Sequence, residues 1–343
     1  MSTSRTREKA DKVTFTQAEV TAGDTAARAG RKNLIINGGF DVAQRGTSFT
    51  AATGYTLDRW YMDESGATTT LTQETHTLGQ TDVPNIPKNY LRMNTTTGAN
   101  NCRIEHKIEN VLPSSNQTMT LSFWAKGVNP ASGAFGVNLQ QNMGTGGSPS
   151  AAPFYPDTLS FSVTSSWVKK TVTFTLGSLA GKTLGTDNNH HIKIQILQKD
   201  ADGGSAAWDL NISNIQLELG SVATDFEHRS YGEELRLCQR YFYRYQGTTQ
   251  ERIYNENAGA TAKWWFLTFP EMRTTPTATF SSGWTSSSSI VVIGGTINSM
   301  SVGGGSSTAM SFRVTNSGSG GTVKSLYHTD GFSQDYCYLS AEL

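Results

Sequence analysis

WDLNISNIQLEL, residues 208–219, carries two apolar parities in one run. Trp208, Leu210 and Ile212 share one side of an extended chain, and Ile215, Leu217 and Leu219 share the other, because successive strand side chains point to opposite faces. One extra residue near Ser213-Asn214 returns all six to a common face, so the sequence predicts a long half-buried strand interrupted by a β-bulge.

Segments of the same kind surround it. CRIEHKIE (102–109) sets Cys102, Ile104, His106 and Ile108 against Arg103, Glu105, Lys107 and Glu109, the alternation of a half-buried antiparallel strand. TMTLSFWAK (118–126), FGVNL (135–139) and HIKIQIL (191–197) repeat the pattern. Roughly nine such runs precede residue 220, separated by turn-rich segments such as MGTGGSPSAAP (143–153), which indicates an antiparallel sandwich or jelly roll.

Bulk properties agree. Charged residues are 16% of the chain and glycines number 34, a composition that suits an all-β protein with many turns. The 343 residues allow two domains. KWWFLTFP (263–270), SIVVI (289–293), AMSFRVT (309–315) and DYCYLSAEL (335–343) supply strands for a second, smaller C-terminal β-sandwich, in which one of Trp264 and Trp265 enters the core. A formal net charge of +0 gives no global field to draw in nucleic acid or anionic membrane, and no apolar run is long enough for membrane insertion. The N-terminus MSTSRTREKADK lacks the apolar core of a secretory signal, an expectation of a product made in the cytoplasm. Cys102, Cys238 and Cys337 are odd in number and include no CxxC pair, so neither a disulfide framework nor a cysteine zinc site is expected.

Residues 1–32 are polar and mixed in charge; they are either a disordered tail or an extended arm that orders on a partner. RSYGEELRLCQRYFYRY (229–245) reads as a helix instead of a strand. Ser230 and Glu233 form a capping box, and Glu233 and Glu234 face the positive end of the dipole. Tyr231, Leu235, Cys238, Phe242 and Tyr245 then recur at spacings of four, three, four and three, which predicts a helix over 229–246 with a short heptad-like stripe. That stripe either docks on its own sandwich or packs against symmetry-related copies, so the five residues are the candidates for an oligomer interface.

Catalytic signatures are missing from the sequence: there is no GxSxG elbow, no phosphate-cradling GxxxxGK[ST] and no GxGxxG after a strand. His190 and His191 are adjacent on a strand and point apart, while His228 and His328 are isolated. The carboxylates Asp58, Asp63, Glu64, Asp209, Glu218, Asp225 and Glu227 have no spacing that makes two of them face each other. The expectation is a protein that is not an enzyme. Aromatic rings offer a binding argument. Trp124 lies opposite Met119, Leu121 and Phe123, so it either fills a second layer or presents a flat stacking surface for a sugar. Trp124, Tyr155 and Trp167 are the glycan-binding candidates, and LDRWYM (57–62) reads as structural.

Taken in order, NLIINGGFDVAQRGTSF, GYTLDRWYM, LSFWAKG, WDLNISNIQLELGSVATDFEHRSYGEELRLCQRYFYR, FPEMRTTPTATF and the terminal LSAEL resemble the tail-fibre and related virion structural proteins of tailed bacteriophages, over residues 33–343. The first domain also resembles the jelly roll of carbohydrate-binding modules, with its opening NLI-NGGF segment and closing strand side by side. No cofactor is expected beyond a structural calcium, which that resemblance implies near Asp41 and Asp209, with Asn37 as a further ligand. The resemblance also implies a homotrimer on the virion tail, attached to other tail or virion proteins through the arm and contacting host surface glycan. The expected organisation is thus all-β: an N-terminal extended arm (1–32), a jelly-roll β-sandwich (33–228), a short linking helix (229–246) and a C-terminal β-sandwich (247–343). Such a chain serves as a tail-fibre component in assembly and host attachment; the alternatives are a stand-alone glycan-binding module, a capsid decoration protein or a glycan-degrading spike.

Overall fold

The structure, a computed structural model, describes residues 31–65, 68–96, 101–130, 133–198, 207–246, 262–280, 290–292, 295–317, 326–328 and 336–343. All but the last two residues of the expected arm lie outside these. The chain divides into two compact units, one ending at Arg229 and the other running Ser230–Glu342, with Leu343 grouped with the first.

The first unit is a two-sheet antiparallel sandwich. One sheet has the order β1 (Ser48–Thr50), β4 (Thr69–Thr75), β5 (Asn89–Thr95), β12 (Trp208–Leu219), β7 (Thr118–Val128), β10 (Val168–Thr175). The other runs β2 (Gly54–Tyr55), β3 (Trp60–Ser65), β6 (Asn101–Glu109), β11 (His191–Gln198), β8 (Phe135–Asn142), β9 (Phe154–Phe161). The alternating faces read from the sequence meet between the sheets: Met119, Leu121, Phe123 and Ala125 on β7, Ile192, Ile194 and Ile196 on β11, and Val137 and Leu139 on β8 are all buried. Each large apolar side chain so enclosed contributes about 1.5–3 kcal/mol relative to exposure, which is why the two-residue period dictates the architecture.

The bulge in β12 is present. Ser213 pairs with Trp124 and Gln216 with Ser122, three steps on one strand against two on the other, and Asn214 takes a left-handed φ of 50°. Trp208, Leu210, Ile212, Ile215 and Leu217 therefore all enter the core. Leu219, expected with them, is 41% exposed at the strand's last position. The opening segment uses the backbone freed by the bulge. Asn33 donates through Nδ2 to the Ile215 carbonyl at 3.1 Å and accepts from Leu217 N–H, Leu34 N–H donates to Leu217 O, and Ile215 N–H donates to Gly38 O at 3.0 Å. LDRWYM is structural: Trp60 is fully buried and its indole donates to Asn37 O, while both carboxylate oxygens of Asp58 accept from Gln44.

The second unit pairs a sheet β13 (Phe242–Gln246), β20 (Tyr336–Ser340), β15 (Thr277–Phe280) with a sheet β14 (Ala262–Thr268), β18 (Ala309–Ser317), β17 (Gly295–Gly305), β16 (Ile290–Val292), β19 (Leu326–His328). Leu267, Met310, Phe312, Cys337 and Leu339 from both sheets close its core with Phe269 and Met272. Trp264 and Trp265 lie on β14, with side chains outside the described residues.

The helix α1 (Tyr231–Gln239) belongs to this second unit and is shorter than expected. Ser230 caps it by accepting from Glu233 N–H, as the capping box requires. It stops before the aromatic run Tyr241–Tyr245, because that run pairs as β13 with the last strand, Phe242 opposite Ser340 and Tyr245 opposite Cys337. Aromatic residues fit a pleated sheet better than a helix surface, and a ladder of backbone hydrogen bonds outweighs a further turn of isolated helix. The heptad-like stripe is therefore not one helical seam: Phe242 and Tyr245 sit on opposite faces of a strand.

Candidate functional site

The face of the β1–β10 sheet turned away from the core gathers polar and aromatic side chains in register. On β5 Tyr90, Arg92 and Asn94 alternate with the buried Leu91 and Met93. On β12 and β7 the same side carries Asp209, Asn211 and Ser213, and Ser122, Trp124 and Lys126. Antiparallel pairing aligns Asn94 with Asp209, Arg92 with Asn211, Asn211 with Lys126, and Ser213 with Trp124. Trp167 directly precedes β10, whose Val168 lies opposite Ala125.

An aromatic cluster results. Tyr90 meets Trp167 edge-on at 5.4 Å between ring centroids, and His76, just after β4, lies 4.8 Å from Tyr90 and 5.3 Å from Trp167. The Lys126 ammonium sits 4.9 Å from the Trp167 centroid and 5.8 Å from that of Tyr90, within cation–π range of both. His76 bonds Ser213 Oγ at 3.0 Å, and burial together with the nearby Lys126 charge lowers its pKa to about 4, so it is neutral at physiological pH. Burial also raises the Tyr90 phenol above its ordinary value, keeping its hydroxyl protonated.

One strand position along, Asp209 organises the polar half of the face. Its Oδ2 accepts from Arg92 Nε at 2.8 Å and Asn94 Nδ2 at 3.1 Å, its Oδ1 accepts from Asn211 Nδ2 at 2.5 Å, and the hydrogen bond to Asp209 raises the Arg92 pKa. Chemically the face offers ring surfaces, one neutral imidazole, amide donors and acceptors, and three cations, Arg92, Lys126 and Lys169, the last opposite Trp124 on β10.

The structure brings Trp124 on β7 and Trp167, the residue before β10, onto this one face, both half-buried, and leaves Tyr155 on β9 of the other sheet. The Tyr155 hydroxyl donates to Gln141 Oε1 and accepts from Gly177 N–H, both at 2.7 Å, a structural role. The structure does not bring Asp41 and Asp209 together. Asp41 accepts from Asn89 and Asp209 from Asn94, anchors five residues apart along β5, which is about 17 Å of strand. Asp209 is already ion-paired, and Asn37 spends its amide on Val42 and Asp58. Among the described residues no group of three or more His, Cys, Asp or Glu side chains gathers around a common point. Of the interface candidates, Tyr231 is 60% exposed and Leu235 half-buried, but Cys238 is fully buried, Phe242 stacks on Tyr338 at 5.6 Å, and Tyr245 packs on the second core. Sequence reasoning missed Tyr90, Arg92, Lys126 and His76. The alternation in NYLRMNT marks Tyr90 and Arg92 as outward, yet nothing local says that β5 lies beside β12 and β12 beside β7.

No family model matches the sequence, and no curated protein matches it. Among solved structures the chain is similar to the enzymatically active domain of tailspike protein 4 of bacteriophage CBA120, with 12% identity and a TM-score of 0.34 over 55% of this chain and 21% of that one. It is similar to the CBM22-1 xylan-binding domain from Paenibacillus barcinonensis, with 14% identity and a TM-score of 0.31 over 51% of this chain and 94% of that one. A further likeness is to the N-terminal cellulose-binding domain of β-1,4-glucanase C from Cellulomonas fimi, with 14% identity and a TM-score of 0.31 over 52% and 97% of the two chains. The fold rests on the strand order itself: an all-β protein whose first unit is a two-sheet antiparallel sandwich.

Proposed function

We propose that this chain is a non-enzymatic tail-fibre component of a tailed-bacteriophage virion, whose first sandwich displays a glycan-binding face. The observation that carries the binding half is the alignment of Trp124, Trp167, Tyr90 and Lys126 on the outward side of one sheet. Aromatic rings stack on the apolar face of a pyranose, and the amides of Asn94 and Asn211 beside them supply directional hydrogen bonds to hydroxyls. The ordered motifs from NLIINGGF to LSAEL support the virion half.

Two measurements test the two halves. The full-length protein is passed over immobilised bacterial surface polysaccharides beside Trp124→Ala and Trp167→Ala, with thermal unfolding as the control for folding. Retention lost in folded variants supports the site; retention that neither substitution alters removes this face from it. Mass spectrometry of purified particles is expected to detect the chain, and virions lacking it would overturn the tail assignment.

A further inference from the structure

The charges on the candidate face are unevenly compensated. Arg92 and Lys126 flank Asn211 in one cross-strand row. Arg92 is neutralised by Asp209, which also takes hydrogen bonds from Asn94 and Asn211 and so has little left to offer. Glu74, at the outer edge of the same face, accepts from Thr72. Lys169 on β10 donates to the Thr224 carbonyl. Lys126 differs from these: among the described residues no carboxylate lies within ion-pair distance of it, and its ammonium faces the Trp167 and Tyr90 rings. An ammonium carries three donors, and a ring face satisfies them only in part. The cation is thus held by two aromatic rings at the spot where a stacked sugar would lie.

Resting on the glycan-binding reading of this face, we propose that its ligand is an acidic saccharide, a polymer of carboxylate-bearing sugars whose carboxylate pairs with Lys126 while its ring packs on the neighbouring aromatic surface. Both halves of such a ligand are served. A carboxylate gives the ammonium a charge-assisted hydrogen bond in a partly desolvated setting, and the rings supply the sequence-tolerant apolar contact. A neutral glycan would leave Lys126 as it is.

The test uses the full-length protein in affinity electrophoresis against polygalacturonate, alginate and hyaluronate, each beside its carboxyl-reduced neutral form, with dextran sulfate as a polyanion lacking carboxylates. Binding to at least one acidic polymer is expected, weaker by about tenfold or more for its reduced form and for Lys126→Met, which keeps the stem over the rings and removes the charge. Lys126→Arg restores most of it, and Trp167→Ala loses it. Acidic and reduced polymers bound alike, with Lys126→Met unchanged, overturn the proposal while the glycan-binding reading stands. Dextran sulfate bound as tightly as the best acidic polymer and indifferent to Trp167→Ala also overturns it, since charge alone would then explain retention. Wild-type protein that binds no carboxylate polymer but is retained on a neutral one likewise overturns it, and wild-type protein retained on no polysaccharide at all removes the glycan-binding reading itself.

Discussion

Gly38 lies directly beneath Ile215: a Cβ built on Gly38 would stand 2.2 Å from the Ile215 carbonyl oxygen. The bulge at Ser213–Gln216 pushes that carbonyl towards the opening segment, and the Ile215 N–H donates to Gly38 O at 3.0 Å. A side chain at 38 would have to part the two segments that close the first sandwich. Gly38→Ala is therefore expected to cost about 1–3 kcal/mol, as overpacking does. Gly232, in the first turn of α1, has nothing within 4 Å of its would-be Cβ, so Gly232→Ala is expected to raise the stability of the second unit by up to about 1 kcal/mol. Urea unfolding with unchanged slope reads both, and a neutral Gly38→Ala would mean that the close approach is not tight.

The bulge and the end of the helix mark what the sequence could say. A strand has a period of two, so a switch of apolar parity between Ile212 and Ile215 has one cheap explanation, an inserted residue, and it is there. Tyr241–Tyr245 satisfies two periods at once, since Phe242 and Tyr245 extend the stripe of a helix while Tyr243 and Tyr245 alternate as a strand. The choice between them was made by Tyr336–Ser340, about ninety residues on, whose edge accepts the ladder. The candidate face was legible as single outward residues, Trp124 above all. Its assembly was not, because Tyr90, Lys126 and Trp167 come from β5, β7 and the residue before β10, and β5 reaches β7 only through β12 entering between them. Asp41 and Asp209 illustrate the converse: a shared family likeness suggested a joint role, and Asn89 and Asn94 hold them at opposite ends of one strand.

The same division separates two uses of the segment that follows Ser230. Phe242 is buried and stacked on Tyr338, so Phe242→Asp places a charge inside the second unit and is expected to unfold it. Leu235 is half-buried on the helix and Tyr231 largely exposed, so Leu235→Asp tests association without a core penalty of that size. Light scattering of the full-length chain is expected to give a trimer that falls to monomers in Leu235→Asp with the second unit still folded. A monomeric wild type would take away the role of this helix in self-association.

Stability is expected to fall with acid between pH about 6.5 and about 4. His76 and His191 have pKa values lowered to about 4, and the fully buried His106 lies well below its ordinary value; in all three, burial is the leading cause. Each is neutral when folded, whereas the unfolded chain takes up protons below about 6.5, so more protons bind on unfolding and stability is lost as pH drops through that window. Burial raises the pKa of Asp41 and of Glu64, which act in the opposite sense, above the ordinary carboxylate range. His191→Gln is expected to reduce the slope of unfolding free energy by up to about 1.4 kcal/mol per pH unit inside the window. A slope identical to that of the wild type would show that His191 titrates alike in both states.

Tyr155 and Trp167 are both half-buried rings of the first sandwich, and their partners make them separable by experiment. The Tyr155 hydroxyl joins Gln141 to the Gly177 backbone, and Gln141 is fully buried with its Nε2 donating to Ser114 Oγ at 2.8 Å. Removing the hydroxyl leaves Gln141 Oε1 and Gly177 N–H without their partner. Tyr155→Phe is therefore expected to lower stability by about 1–3 kcal/mol and to leave polysaccharide retention untouched. Trp167→Ala should do the reverse in proportion: it removes half-buried ring surface shared with Tyr90, His76 and Lys126, so the folded variant survives with its retention gone. Measuring both properties on both variants makes a double dissociation. Loss of retention in Tyr155→Phe at full stability would move the binding surface to the opposite sheet.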